Sequence, residues 1–167
     1  VANCDSALDG VLLGLFLPRS PLVASTDEMR TRRLPRWLMR WVRSCAINSH
    51  HPRSLEAVVS HVQSGGVAVI FPQGCVSTSG AVMSIDDAAG MVVAQCGSEV
   101  VPVRISGTLY SRYASTSKQW PRRFFPQITI TVLEPAHMPR LVDESAKAAR
   151  RERALALQGV MQKVLSH

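Results

Sequence analysis

Gly66-Val67-Ala68-Val69-Ile70-Phe71-Pro72-Gln73-Gly74-Cys75 is the stretch on which the fold turns. An apolar, β-branched run stops abruptly at a Pro-x-Gly turn. That pattern belongs to a buried strand which delivers a polar loop to one edge of a sheet. A second polar turn, Asn3-Cys4-Asp5-Ser6-Ala7-Leu8-Asp9, opens the chain. The two turns are expected to meet in space and form one site.

The elements around this strand alternate between helix and strand. Leu8 to Leu17 reads as a nearly all-apolar, buried helix that Pro18 stops. Pro21 to Ser25 and Cys45 to Ile47 are short strand candidates. Ser54 to Gln63 places Leu55, Val58, Val59 and Val62 on one helical face, and Gly65-Gly66 ends it. Ser84-Ile85-Asp86-Asp87 is close to a capping box for a helix running to Cys96, which Gly97 closes. Glu99 to Ile105 reads as a strand with Pro102 near an edge or end, and 108–126 as polar and irregular. In Gln127 to Leu133, Ile128, Ile130 and Val132 alternate with threonines, as in a half-buried strand. From Val142 onward the chain reads as an Ala-, Arg- and Leu-rich helix. The fold class expected is α/β, a mixed, partly parallel sheet flanked by helices. In such sheets, sites gather at strand ends.

At 167 residues, 46% hydrophobic and 19% charged, the chain is long enough to bury one core and too apolar for disorder. No apolar run reaches the roughly 18–20 residues that span a bilayer. The start at Val1, without a basic leader, leads us to expect a fragment of a longer polypeptide. Cys4, Cys45, Cys75 and Cys96 are scattered, without metal-ligand spacing or a disulfide framework, which suits a reducing compartment. No metal or cofactor is called for. A net charge of +7 favours an anionic partner.

The strongest surface signal lies in 27–43. Leu34, Trp37, Leu38, Trp41 and Val42 recur on one helical face, and Arg33, Arg36, Arg40 and Arg43 on another. One reading is a helix lying in a lipid headgroup layer, with indoles at the interface and guanidiniums on phosphates. The other is an ordinary amphipathic helix with tryptophan in the core. No nucleic-acid motif accompanies the basic surface, and no nucleic-acid partner is expected.

Three blocks carry a resemblance: Asn3-Cys4-x-x-x-x-Asp9, then Phe71-Pro72-Gln73-Gly74, then Val101-Pro102-Val103 with Gly107 after it. In order and interval they resemble the glycerophospholipid acyltransferase family, across nearly all of the chain. The stretches Asp9 to Leu17 and Phe125 to Thr129 are similar to the acyltransferase part of bacterial bifunctional 2-acylglycerophosphoethanolamine acyltransferase/acyl-carrier-protein synthetases. The resemblance implies a single acyltransferase-like domain over 1–167, on the cytoplasmic face of the inner membrane. Its substrates would be a lysophospholipid and a donor, acyl carrier protein or acyl-CoA. It would meet the membrane surface through Arg33, Arg36, Trp37, Arg40 and Trp41. In the family a histidine in the first block takes the acceptor hydroxyl's proton, and an aspartate five positions on orients it. Carried over, the catalytic positions are Cys4 and Asp9, and the substrate-binding ones Phe71, Pro72, Gln73, Gly74 and Cys75.

The departures fall on those positions. Cys4 stands where the family has histidine, and Gln73 where it has glutamate. The arginine expected just after the glycine is absent, since Cys75 and Val76 occupy those places. The second block's arginine has no match near 47–49. A thiol beside a carboxylate stays protonated near pH 7 and is a poor base. Losing a general base costs about 10²–10⁴ in rate. Impaired turnover and a non-catalytic lipid- or partner-binding domain of the same fold therefore both stand. Two rescues are open: Cys4 as an acyl-accepting nucleophile, or His50 or His51 as a substitute base.

Overall fold

The computed structural model describes residues 1–6, 8–25, 40, 42–47, 52–72, 87–114, 121–136, 155–157, 159, 160 and 162. Strand β1 (Leu22–Ser25) is central to a parallel sheet, with β2 (Ser44–Ala46) on one side and β3 (Ala68–Ile70) on the other. The register pairs Val23 with Ser44 and with Val69, and Ala24 with Cys45 and with Ile70. Strands β4 (Val103–Ser106) and β5 (Thr129–Val132) form an antiparallel pair, Ile105 opposite Ile130.

Residues 1–3 join the two sheets. The Ala2 N–H donates to the Ile70 carbonyl at 3.1 Å, and the Val103 N–H donates to the Val1 carbonyl at 2.7 Å. Ala2 and Val103 form a parallel bridge. Here the backbone ladder hands over to a side chain. Asn3 Oδ1 accepts from the Ile105 N–H at 2.7 Å, and Asn3 Nδ2 donates to the Ile105 carbonyl at 2.8 Å. The amide thus imitates the peptide group of a paired strand, satisfying two backbone groups that burial would otherwise leave costly. The mixed, partly parallel sheet expected from the alternation of elements is what the chain adopts.

Successive residues of the quoted strand point to opposite faces. Val69 and Phe71 join Val11, Leu13, Val23, Val42, Val103 and Ile105 in a cluster under α1 (Leu8–Phe16). Ile70 joins Ala24, Leu55, Val58, Val59, Val92 and Leu157 in a second cluster under α2 (Pro52–Gln63) and α3 (Asp87–Cys96). A parallel strand covered on both faces must be apolar at every position, which is why 67–71 carries no polar residue.

Two expectations need correction. Helix α1 is not buried throughout: Leu15 and Phe16 are exposed, because only one of its faces packs on β1. The 108–126 stretch opens with a 3₁₀ turn, Thr108–Tyr110, whose Thr108 is fully buried. Val132 is exposed, while Ile128 and Ile130 pack partly buried against the cluster under α1, as a half-buried strand would. The 27–43 helix falls outside the described residues except at Arg40, Val42 and Arg43, and so do His50, His51 and most of 142–167. Among the described residues no helix is long and apolar enough to cross a membrane.

Gly107, which leads into the 3₁₀ turn, has φ +91°, and a Cβ there would lie 2.0 Å from the Gln127 carbonyl oxygen. Gly107→Ala is expected to lose about 1–2 kcal/mol to the left-handed backbone alone, and more to that clash, in chemical denaturation. Asn3→Ala leaves two buried backbone groups of Ile105 without partners. We expect it to lower unfolding free energy by at least about 2 kcal/mol, measured the same way.

Candidate active site

The turn from Asn3 to Asp9 is held by a capping box. Ser6 Oγ accepts from the Leu8 N–H at 3.2 Å, and Asp9 Oδ2 reaches back to the Ser6 N–H at 2.8 Å. This reciprocal pair closes the N-terminus of α1. The same Oδ2 accepts from the Asp5 N–H at 2.6 Å. Two amides therefore converge on one oxygen of a carboxyl that is 0% exposed. The other oxygen, Oδ1, has no hydrogen-bond partner among the described residues. One oxygen builds the turn, and the other is left over.

Thr108 brings a second unsatisfied group to the same place. Its hydroxyl, also buried and without a hydrogen bond of ordinary length, lies near enough to Asp9 to favour the charged carboxylate. Burial nevertheless dominates. It pushes the Asp9 carboxyl up to about 7, against the opposing pull of the Ser6 and Asp5 amides and of Thr108, with the Asp5 charge adding a little. Asp5 is pushed up too, by burial, while Asn3 and Arg104 counter it. A carboxylate meant to orient a cationic base would be held low by that base. Among the described residues Asp9 has no such neighbour, and it keeps its own proton up to about pH 7.

Cys4 is 3% exposed, with its Sγ 3.8 Å from the Ser6 carbonyl oxygen, to which the thiol donates. Cys4 and Asp9 are thus on one turn, as expected. Phe71 and Pro72 are both buried, and a Cβ added at Gly10 on α1 would lie 3.7 Å from the Phe71 ring. The end of β3 therefore lies close to the first turn of α1. Gln73, Gly74 and Cys75 lie outside the described residues. Cys4, Cys45 and Cys96 are thiols, none in a disulfide. Among the described residues no cluster of His, Cys, Asp or Glu could hold a metal ion. An apolar groove of about 550 Å³ runs along β3 beside Val1, Val92, Val100 and Val103, but neither Cys4 nor Asp9 lines it.

The sequence reading missed Ser6, Ser111 and Thr108. Ser6 was legible, since Ser-x-x-Asp before an apolar run is a helix-start signal. Ser111 and Thr108 were not. They reach the turn only through the fold, Ser111 Oγ lying 3.3 Å from Ser6 Oγ and Ala114 bridging Ser6 across the same gap.

A pH dependence follows. The folded chain keeps a proton on Asp9 up to about pH 7, whereas the unfolded chain loses it near 3.8. Stability therefore falls as pH rises through that window, with a slope of up to about 1.4 kcal/mol per pH unit from this group. Asp9→Asn keeps an oxygen for both amides and is expected to flatten that slope in urea titrations between those pH values. An unchanged slope would show that Asp9 is not the group responsible.

A family model described as Acyltransferase matches residues 1–106, which contain both turns, β3 and β4. Among solved structures, the 1-acyl-sn-glycerophosphate (LPA) acyltransferase PlsC from Thermotoga maritima superposes with a TM-score of 0.60 at 22% identity. The likeness covers 96% of this chain and 64% of that one, so this chain spans less than two thirds of that protein's length. At that identity it speaks to the fold. The family match, over well more than half of the residues and across both turns, shows that this chain belongs to the acyltransferase family.

Proposed function

We propose that this chain is a lysophospholipid acyltransferase domain whose turnover is impaired by Cys4 and Gln73. The observation that carries the reading is the Asp9 carboxyl, buried and clamped through Oδ2 with Oδ1 left over, one turn away from Cys4. In the proposed reaction an acceptor hydroxyl on a lysophospholipid attacks the thioester carbonyl of acyl-ACP or acyl-CoA. A C–O bond forms, the C–S bond breaks, and the hydroxyl proton ends on the departing thiol. A base at position 4, oriented by Asp9 Oδ1, would carry that proton. The bifunctional synthetase branch, the cytoplasmic face of the inner membrane and membrane contact through Arg33, Arg36, Trp37, Arg40 and Trp41 belong to the same proposal.

A second reading has its own support. The Cys4 thiol is buried and turned to the Ser6 carbonyl, an arrangement suited to a small apolar residue in a core. Asp9, holding its proton near pH 7, is then a capping residue alone. On this reading the domain binds lysophospholipid, acyl chain or a partner without turnover.

The assay compares this chain with a Cys4→His/Gln73→Glu version, using lysophosphatidylethanolamine and either acyl donor. We expect acyl transfer in the restored version to exceed that of the native chain by about 10²–10⁴, and to be lost again on Asp9→Asn. No activity in the native chain favours the binding reading. Equal activity in both would show that position 4 does not supply the base.

A further inference from the structure

The same 3₁₀ turn that presents Thr108 to Asp9 holds a patch of unusual composition on its outer side. Phe124 is 78% exposed and Phe125 95% exposed. The Arg112 guanidinium sits 4.9 Å from the centre of the Phe124 ring, and that of Arg123 sits 5.9 Å from the centre of the Tyr110 ring. Tyr113 and Arg122 are exposed beside them. The patch is tied to the turn, because the Arg123 N–H donates to the Tyr110 carbonyl at 2.8 Å. It is tied to the capping box as well, through Ser111, Ala114 and Ser6. No Asp or Glu occurs between Glu99 and Glu134.

We propose that Phe124 and Phe125, with Arg112, Arg122 and Arg123 around them, form a docking face for an anionic lipid bilayer. Two adjacent, solvent-facing phenylalanines gain most from an apolar layer they can enter, and arginines gain most from phosphates just above it. A bilayer has those two layers in that order. An acidic protein surface supplies the negative charge but no apolar layer deep enough for both rings. The guanidinium–ring contact keeps charge and apolar surface together on one face. The position is also informative. The Asn3–Asp9 turn is joined to this patch through Ser6, Ser111 and Ala114, so docking there would bring the turn toward the headgroup layer, where a lysophospholipid resides. This deepens the lysophospholipid reading and rests on it for that purpose, but the binding is measured without turnover, so the two can fail separately.

The test is vesicle co-sedimentation of the whole 167-residue chain, with phosphatidylglycerol/phosphatidylcholine vesicles against phosphatidylcholine alone. Amide hydrogen exchange with and without vesicles accompanies it. Phe124→Ser/Phe125→Ser and Arg112→Gln/Arg122→Gln/Arg123→Gln are compared with Arg36→Gln/Arg40→Gln, with folding checked by circular dichroism. We expect preference for the anionic vesicles, at least about tenfold weaker partitioning in the first two variants, and new exchange protection over 121–125. The proposal is overturned if those two variants bind as the parent chain does. It is equally overturned if protection lies elsewhere, if Arg36→Gln/Arg40→Gln alone removes all binding, or if the phenylalanines instead mediate a dimer seen in sedimentation velocity.

Discussion

Two hydrogen bonds between the Asn3 side chain and the backbone of Ile105 join the halves of this molecule. Besides the apolar cluster they share, the parallel sheet of β1, β2 and β3 and the antiparallel pair of β4 and β5 are joined by the short backbone bridge at Ala2 and by this amide. The amide extends that bridge by one more rung without extending the strand. The chain is then free to turn at Cys4, which is what a site at this edge needs. Sheet continuity and the polar turn are two consequences of a single side chain that can both donate and accept.

The turn that follows divides one carboxyl between two tasks. Oδ2 of Asp9 takes the amides of Asp5 and Ser6, which fixes the turn and caps α1. Oδ1, buried and without a hydrogen bond among the described residues, is the half left over. Among the described residues no cation offsets the burial of that carboxyl, which is pushed up to about 7.

The 3₁₀ turn after Gly107 connects this interior to the surface. Its first residue closes the site from within, and its last residue anchors Arg123 and the exposed phenylalanines. Gly107 makes that possible, because only a residue without a Cβ can pass so close to the Gln127 carbonyl. The aspartate, the hydroxyl and the basic aromatic face are held in a fixed relation by one short segment.

Much of this was legible in the residues themselves. The unbroken apolar run at 67–71 marked a strand covered on both faces, and helical spacing at Leu55, Val58 and Val59 marked the layer that covers one of them. Gly65 and Gly97 marked helix ends, and both take positive φ. These signals are local: each depends on period, caps and turns within a few residues. The pairing of Asn3 with Ile105, 102 positions on, has no such signature. Nor do the approach of Thr108 to Asp9, the exposure of Leu15 and Phe16, or the stacking of Arg112 on Phe124. The sequence determined which segments would be strands, helices and polar turns, because local backbone preference and hydrophobic period act over short distances. Only the tertiary structure decided which polar atoms burial would leave without partners and which apolar rings would face outward, because both depend on what the rest of the chain brings alongside.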